Sequence, residues 1–244
     1  MSNTNERKTF TDGLRVLSLC GGVETGLYTL QQLGIPVKEY HTYEILPEAI
    51  AVSQYHFPFV VHHGDLYEAD FNRFKGFDLL LAGACCQSLS KIRIEDKQVN
   101  NGLDGKSVIF FKAIECLEAT QPKYFMFENV IPSREEDLNT MTECIGVDPL
   151  LVDSAIFSAQ SRERYYRTNI PLGELPEESP LILQDVMENN VNEKYFYKKD
   201  FEIIDMNKRV CAELKVNTME MNRRIYNPEF KCCTLTCVNG GISY

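Results

Sequence analysis

Strand and helix signals alternate along residues 14–160, which predicts an α/β protein with a mostly parallel sheet and helices on both faces. Two features carry this expectation. Short apolar runs, residues 14–19 and 77–83 above all, are bounded by glycine and lack the polar alternation of a half-exposed strand. Between them lie segments with the start and stop signals of helices.

Taken in order, LRVLSL at 14–19 reads as a buried strand between Gly13 and Gly21. TGLYTLQQLG at 25–34 reads as a helix closed by Gly34. KEYHTYEI at 38–45 is a second strand, and PEAIAVSQYHF at 47–57 a second helix with Pro47 near its start. FVVHHGD at 59–65 is a third strand and its exit. FDLLLAG at 77–83 reads as a central strand, followed by a loop from 84 to about 106. SVIFFKAIECLEA at 107–119 is an amphipathic helix, and KYFMFE at 123–128 the next strand. LLVDSAIF at 150–157 and RYYRTNI at 164–170 are late strands close enough to pair antiparallel. From 172 onward the period weakens, beginning with the Pro/Glu-rich connector PLGELPEESPL. The expected organisation is one domain over 1–171 and a second, partial region over 172–244. Ligands of parallel sheets sit at the carboxyl ends of the strands, so the loops after 19, 44, 65, 83 and 128 should converge on one crevice.

The 244 residues suffice for one domain with a core and part of a second. No apolar run approaches the roughly 20 residues of a membrane span. The N-terminal residues are polar and lack the apolar stretch of a signal peptide, so a cytoplasmic protein is expected, with no membrane partner. Nine cysteines are scattered without a CxxC pair or Cys/His zinc spacing, so no metal site is expected. Most read as small buried hydrophobes in a reducing compartment, as Cys116 does. The formal net charge of −10 is the wrong sign for a nucleic-acid binder as a whole. RERYYR at 162–167 and KIR at 91–93 remain as candidates for a local basic face.

The residues with chemical potential lie at the strand exits. After the first strand comes Cys20-Gly21-Gly22-Val23-Glu24-Thr25-Gly26, whose glycines would let backbone approach a ligand closely. The spacing is not GxGxxG. Glu44 ends the second strand, where a carboxylate can accept both hydroxyls of a ribose. Asp65, after Gly64, could accept from an adenine amino group, although helix capping is the commoner role there. Cys85-Cys86-Gln87-Ser88 follows the central strand and offers a thiol nucleophile. Glu128-Asn129-Val130 leaves another apolar strand, and a glutamate desolvated there would have a raised pKa suited to proton donation. Gln160-Ser161-Arg162-Glu163-Arg164 sets two guanidinium groups two residues apart, hence on one face of a strand.

The ordered series GG(x)3G, YE, GD, CQ, ENV, QxRxR resembles the motifs of the DNA cytosine carbon-5 methyltransferases, of the type found in phage and bacterial enzymes and in animal de novo enzymes. The resemblance covers about residues 14–171 and resumes faintly at 181–241. It implies a Rossmann-like S-adenosylmethionine-dependent methyltransferase fold and double-stranded DNA as substrate. It assigns catalysis to Cys86, Glu128, Arg162 and Arg164. Cofactor contacts fall to Leu19, Cys20, Gly21, Gly22, Thr25, Gly26, Glu44, Ile45, Asp65 and Leu66, and substrate contacts to Gln87, Ser88, Asn129 and Gln160. By the same resemblance Cys86 attacks carbon 6 of a flipped cytosine, Glu128 protonates or hydrogen-bonds ring N3, and Arg164, with Arg162 beside it, steadies the exocyclic carbonyl and the glutamate.

Three departures accompany it. Cys85 stands where the family has a loop-stiffening proline. Cys20 stands where the family has an aromatic residue, and Gly21 where it often has Asp or Ser; both changes predict weaker cofactor binding. Thr234-Leu235-Thr236 resembles the start of a late motif, and the closing segment that should follow is not in the sequence. A second polypeptide supplying that segment is therefore an expected partner. An inert binding module or remnant of the same fold is the main alternative. A tRNA cytosine methyltransferase has a similar architecture. A nicotinamide oxidoreductase would account for the glycine loop and Glu44 but leaves the Cys-Gln, ENV and QxRxR motifs without a role.

Overall fold

The structure is a computed structural model that describes residues 13–83, 103, 108–196, 198–217 and 220–234. It divides into two compact units, one formed by residues 1–151 with 164–172 and the other by 152–163 with 173–244.

In the first unit, β1 (Leu14–Leu19), β2 (Val37–Tyr43), β3 (Val61–His62), β4 (Leu79–Ala82) and β5 (Tyr124–Asn129) alternate with α1 (Thr25–Gln32), α2 (Pro47–His56) and α3 (Val108–Thr120). A further helix, α4 (Glu135–Ile145), precedes β6 (Leu150–Asp153) and β7 (Glu163–Thr168). The sheet runs β3-β2-β1-β4-β5-β7-β6. Its β1–β2, β2–β3, β1–β4 and β4–β5 pairs are parallel, so these five strands deliver their exits to one edge. β7 runs antiparallel to β5.

The apolar runs are strands because both faces are covered. Val16, Leu17, Leu19, Leu80, Phe125 and Phe127 are buried, and Phe110, Ala113 and Cys116 of α3 pack into the same core as Leu17, Leu80 and Phe127. On the other face Leu14, Val16 and Leu79 pack with Leu27 and Leu30 of α1. Cys116 is fully buried, and burial pushes its thiol up to about 12.

The RERYYR run is not a basic face. β7 alternates, so Arg164 and Tyr166 lie on one side and Tyr165 and Arg167 on the other. Arg167 is 1% exposed, donates to the Thr142 hydroxyl of α4 at 3.2 Å and lies 5.9 Å from the Tyr165 ring centroid. Nor do Arg162 and Arg164 share a strand, because β7 begins at Glu163. Arg162 belongs to the second unit, where its N–H donates to Asp153 Oδ1 at 2.7 Å. The other run, KIR at 91–93, lies outside the described residues.

The second unit carries an antiparallel sheet, β10-β9-β8, of β8 (Phe201–Ile203), β9 (Val210–Leu214) and β10 (Arg224–Tyr226). Lys231 Nζ ties it together by donating to the carbonyls of Ser158, Ser179 and Leu181 at 2.9, 2.7 and 2.8 Å. Gln160 bridges to Cys232 and donates its side-chain amide to the Cys233 carbonyl at 3.4 Å.

Candidate active site

The turn after β1 is built from unusual backbone. Cys20 and Glu24 occupy the left-handed region at φ 56° and 64°, as does Gly22 at 60°. Positive φ is costly for residues with a Cβ and is held here by local bonds. The Cys20 N–H donates to the Tyr43 carbonyl at 2.8 Å, and the Gly22 N–H to Glu44 Oε2 at 2.9 Å. Glu44 Oε1 also accepts from the N–H groups of Ile45 and Leu46, at 2.8 and 2.9 Å. Glu44 thus pins the glycine turn to the exit of β2.

The glycines of this turn answer to internal packing. A Cβ on Gly21 would stand 2.2 Å from Glu24 Oε1, and one on Gly26 would stand 2.6 Å from Leu81 Cδ1. Gly22 has open space around it and is required by its φ alone. Gly21 and Gly26 also line the cavity described below.

A cavity of about 500 Å³ opens at the exits of β1, β4 and β5, lined among others by Ser18, Cys20, Gly21, Thr25, Gly26 and Glu128. This lies within the roughly 300–1,000 Å³ of small-ligand sites. Leu19 also lines it, as do Met126 and Tyr166. Met126 and Glu128 project to the same face of β5, and Tyr166 pairs with Glu128 across the β5–β7 ladder. Arg164, two residues before Tyr166, reaches Glu128 diagonally, with Nε 3.1 Å from Oε1. The Glu128 side chain is 34% exposed and is ion-paired with Arg164. Asn129, at the end of β5, faces the opposite way and is 4% exposed.

The other expected residues are more dispersed. Glu44, Ile45, Asp65 and Leu66 lie outside the cavity lining. Ile45 is 64% exposed, whereas Leu66 is a core residue. Asp65 takes the capping role, accepting from the Tyr67 N–H at 2.9 Å at the start of a 3-10 turn. Arg162 and Gln160 belong to the second unit. Cys85, Cys86, Gln87 and Ser88 lie outside the described residues. No group of three His, Cys, Asp or Glu able to hold a metal occurs among the described residues. The second unit has a larger cavity of about 680 Å³, bordered by Gln184, Glu188, Asn207 and Asn227, which none of the expected site residues lines.

Sequence reasoning missed Glu24 and Tyr40. Glu24 is 1% exposed, and its Oε2 accepts from the Tyr40 hydroxyl at 2.8 Å. Burial and then the Glu24 carboxylate hold Tyr40 well above its ordinary pKa. A charged residue inside a glycine-rich turn was the available signal.

Strand order, parallel core and cavity together define an α/β Rossmann-like methyltransferase fold. Residues 14–231 match the C-5 cytosine-specific DNA methylases, and the chain belongs to that family. The orphan methyltransferase M.SPRI of Bacillus phage SPR is 28% identical over 217 residues, covering 84% of this chain and 45% of the relative. The orphan methyltransferase M.Rho11sI of Bacillus phage rho11s is 31% identical over 170 residues, 63% of this chain and 32% of the relative. The type II methyltransferase M.NgoBV of Neisseria gonorrhoeae is 32% identical over 109 residues, 43% of this chain and 24% of the relative. The chain therefore spans less than half the length of these curated relatives. No described helix is long and apolar enough to cross a membrane.

Proposed function

We propose that this chain carries the catalytic portion of a DNA cytosine-5 methyltransferase that acts in the cytoplasm of a bacterial or phage-infected cell. The observation that carries this reading is the Glu128–Arg164 pair, 3.1 Å apart, with Glu128 on the wall of the cavity that begins at the Gly21–Gly26 turn. The cavity has the size and the mixture of hydroxyl, backbone and apolar lining that suit S-adenosylmethionine. Ser18, Leu19, Cys20, Gly21, Thr25 and Gly26 would hold the cofactor, with Glu44, Ile45, Asp65 and Leu66 serving its nucleoside end from the neighbouring strand exits. Bound there, the cofactor supplies an electrophilic methyl group.

Carbon 6 of cytosine is a poor electrophile. Glu128 lowers its resistance by holding a proton at ring N3, and Arg164 orients Glu128 through their ion pair. Cys86 is the nucleophile that adds to carbon 6; carbon 5, made enamine-like, would take the methyl group, a base would remove the carbon-5 proton, and the electrons of that C–H bond would expel the thiolate. Asn129, Gln160, Gln87, Ser88 and Arg162 are the further residues assigned to the substrate side. Double-stranded DNA is the substrate from which the cytosine must be flipped, at a cost of a few kcal/mol. Residues 172–244 are assigned to a target-recognition region.

Covalent trapping tests this directly. DNA carrying 5-fluorocytosine cannot lose its carbon-5 substituent, so a working nucleophile stays attached. With cofactor and any completing polypeptide supplied, the wild-type chain and Cys85→Ser should trap, and Cys86→Ser and Glu128→Gln should not. Trapping that survives Cys86→Ser but disappears in Cys85→Ser would move the nucleophile to the neighbouring thiol. No trapping by any version, Cys85→Pro included, would favour an inert binding module, which the net charge of −10 also suits.

A further inference from the structure

We propose that Tyr166 is the residue by which the cavity tells the charged methyl donor from its neutral product, an assignment that rests on the cofactor site proposed above. Among the described residues that line the cavity, Tyr166 is the one aromatic side chain. It stands directly opposite Glu128 in the antiparallel β5–β7 ladder, and Met126 lies two residues before Glu128 on the same face of β5. Residues directly opposite in such a ladder hold their Cβ atoms about 5 Å apart, so a ligand group that reaches Glu128 also comes within reach of Tyr166. The walls of the cavity differ in chemistry. Ser18, Thr25 and Thr29, from β1 and α1, bring hydroxyl groups, whereas the β5–β7 side brings a thioether, a carboxylate and an aromatic ring.

The methyl group has to be delivered beside the residue that holds the cytosine ring, which puts the donor sulfur at the Glu128 end of the cavity. A sulfonium carries no proton and makes no hydrogen bond as a donor. It is held by negative charge or by the electron-rich face of an aromatic ring. The negative charge there is already committed, because Arg164 Nε lies 3.1 Å from Glu128 Oε1 and offsets it. The Tyr166 ring is the remaining group of the right kind. On methyl transfer the carbon–sulfur bond breaks and its electron pair stays on sulfur, which leaves a neutral thioether. The attraction to the ring is lost with the charge, so the residue that holds the donor does not hold the product.

The test is calorimetry on the full chain with S-adenosylmethionine and S-adenosylhomocysteine, which differ by the methyl group and the charge. The readout is the ratio of the two affinities, which a change of packing alone would not move. Tyr166→Phe keeps the ring and should hold the ratio within about 2-fold of wild type. Tyr166→Leu keeps apolar bulk without an aromatic face and should shift the ratio against S-adenosylmethionine by about 3- to 30-fold. Replacing Tyr166 with pentafluorophenylalanine keeps the shape, removes the negative face and should match leucine. Equal losses of both ligands in Tyr166→Leu, or no loss of either, would reduce the residue to shape and overturn the assignment. A shift in Tyr166→Phe as large as in Tyr166→Leu would move the effect to the hydroxyl, and a ratio that collapses in Glu128→Gln but not in Tyr166→Leu would give the sulfonium to the carboxylate; either also overturns it. Those outcomes leave the cofactor site standing, whereas a wild-type chain that binds neither ligand sinks that reading and this one together.

Discussion

Replacing Asp137 with alanine would remove the acceptor that joins α4 to the segment preceding α3. Asp137 is 2% exposed. It accepts from the Leu103 N–H at 3.2 Å, from Arg134 Nε at 2.9 Å and from Arg134 Nη2 at 2.6 Å. Leu103 is itself a core residue, 6% exposed. The Arg134 side chain is 35% exposed, so water screens its bonds to Asp137, which are worth no more than about 1 kcal/mol. The Leu103 N–H has no such recourse and costs about 1–3 kcal/mol when left unpaired in the interior. The sum for Asp137→Ala is about 1–4 kcal/mol. Asp137→Asn keeps an acceptor for Leu103 and should cost about 1 kcal/mol. Burial alone would raise the carboxyl, but Arg134 and the Leu103 N–H hold it below its ordinary value. A depressed folded-state pKa gives stability that is present above the unfolded value near 3.9 and is lost as pH falls through the folded value. Urea unfolding at neutral pH measures both variants. If asparagine proves as damaging as alanine, charge rather than the Leu103 bond dominates, and the reasoning fails.

Two other perturbations follow from the same unit. His41 and His63 share a hydrogen bond at 2.8 Å, and burial holds both rings below the usual histidine pKa; at His41 Glu39 opposes this while Arg73 and Arg15 add to it, and at His63 the fields of His41, Arg73 and His62 add to it. The unfolded chain protonates first, so stability present above about pH 6.5 should decline below it. His41→Phe, set against Phe74 and Phe77, should lessen the fall in Tm between about pH 7.5 and 5.5; an unchanged fall would clear the pair. Buried Arg167 should tolerate methionine within about 1 kcal/mol and lose about 3 kcal/mol on truncation to alanine. Chemical denaturation separates the two, and equal losses would mean that the Thr142 bond outweighs packing.

The parallel core was legible because its strands are buried on both faces, and unbroken apolar runs such as Leu79–Ala82 have few alternative homes. α4 escaped notice because most of EEDLNTMTECI is polar, although Asp137, Met141 and Ile145 recur every fourth residue and Gly146 closes the helix at φ 74°. The strands β8 to β10 are short, and β8 is exposed along its length, so no period could reveal them. Glu128 and Arg164 were singled out from their motifs, but their contact needed the β5–β7 register. The burial of Glu24 could not be read from spacing, because it depends on a left-handed turn and on a tyrosine from the next strand.

The β5–β7 ladder bears on how this protein can vary. Glu128 and Arg164 meet because Glu128 pairs with Tyr166 and Asn129 with Tyr165, whatever path the chain takes between them. A slip of one residue would turn Arg164 to the opposite face and dissolve the pair, while a change in length between the strands would leave it untouched. Residues 152–163, which lie on that path, already belong to the other unit. The acid and its guanidinium partner are thus insulated from the connecting chain, and insertions or even a break there are compatible with an intact pair.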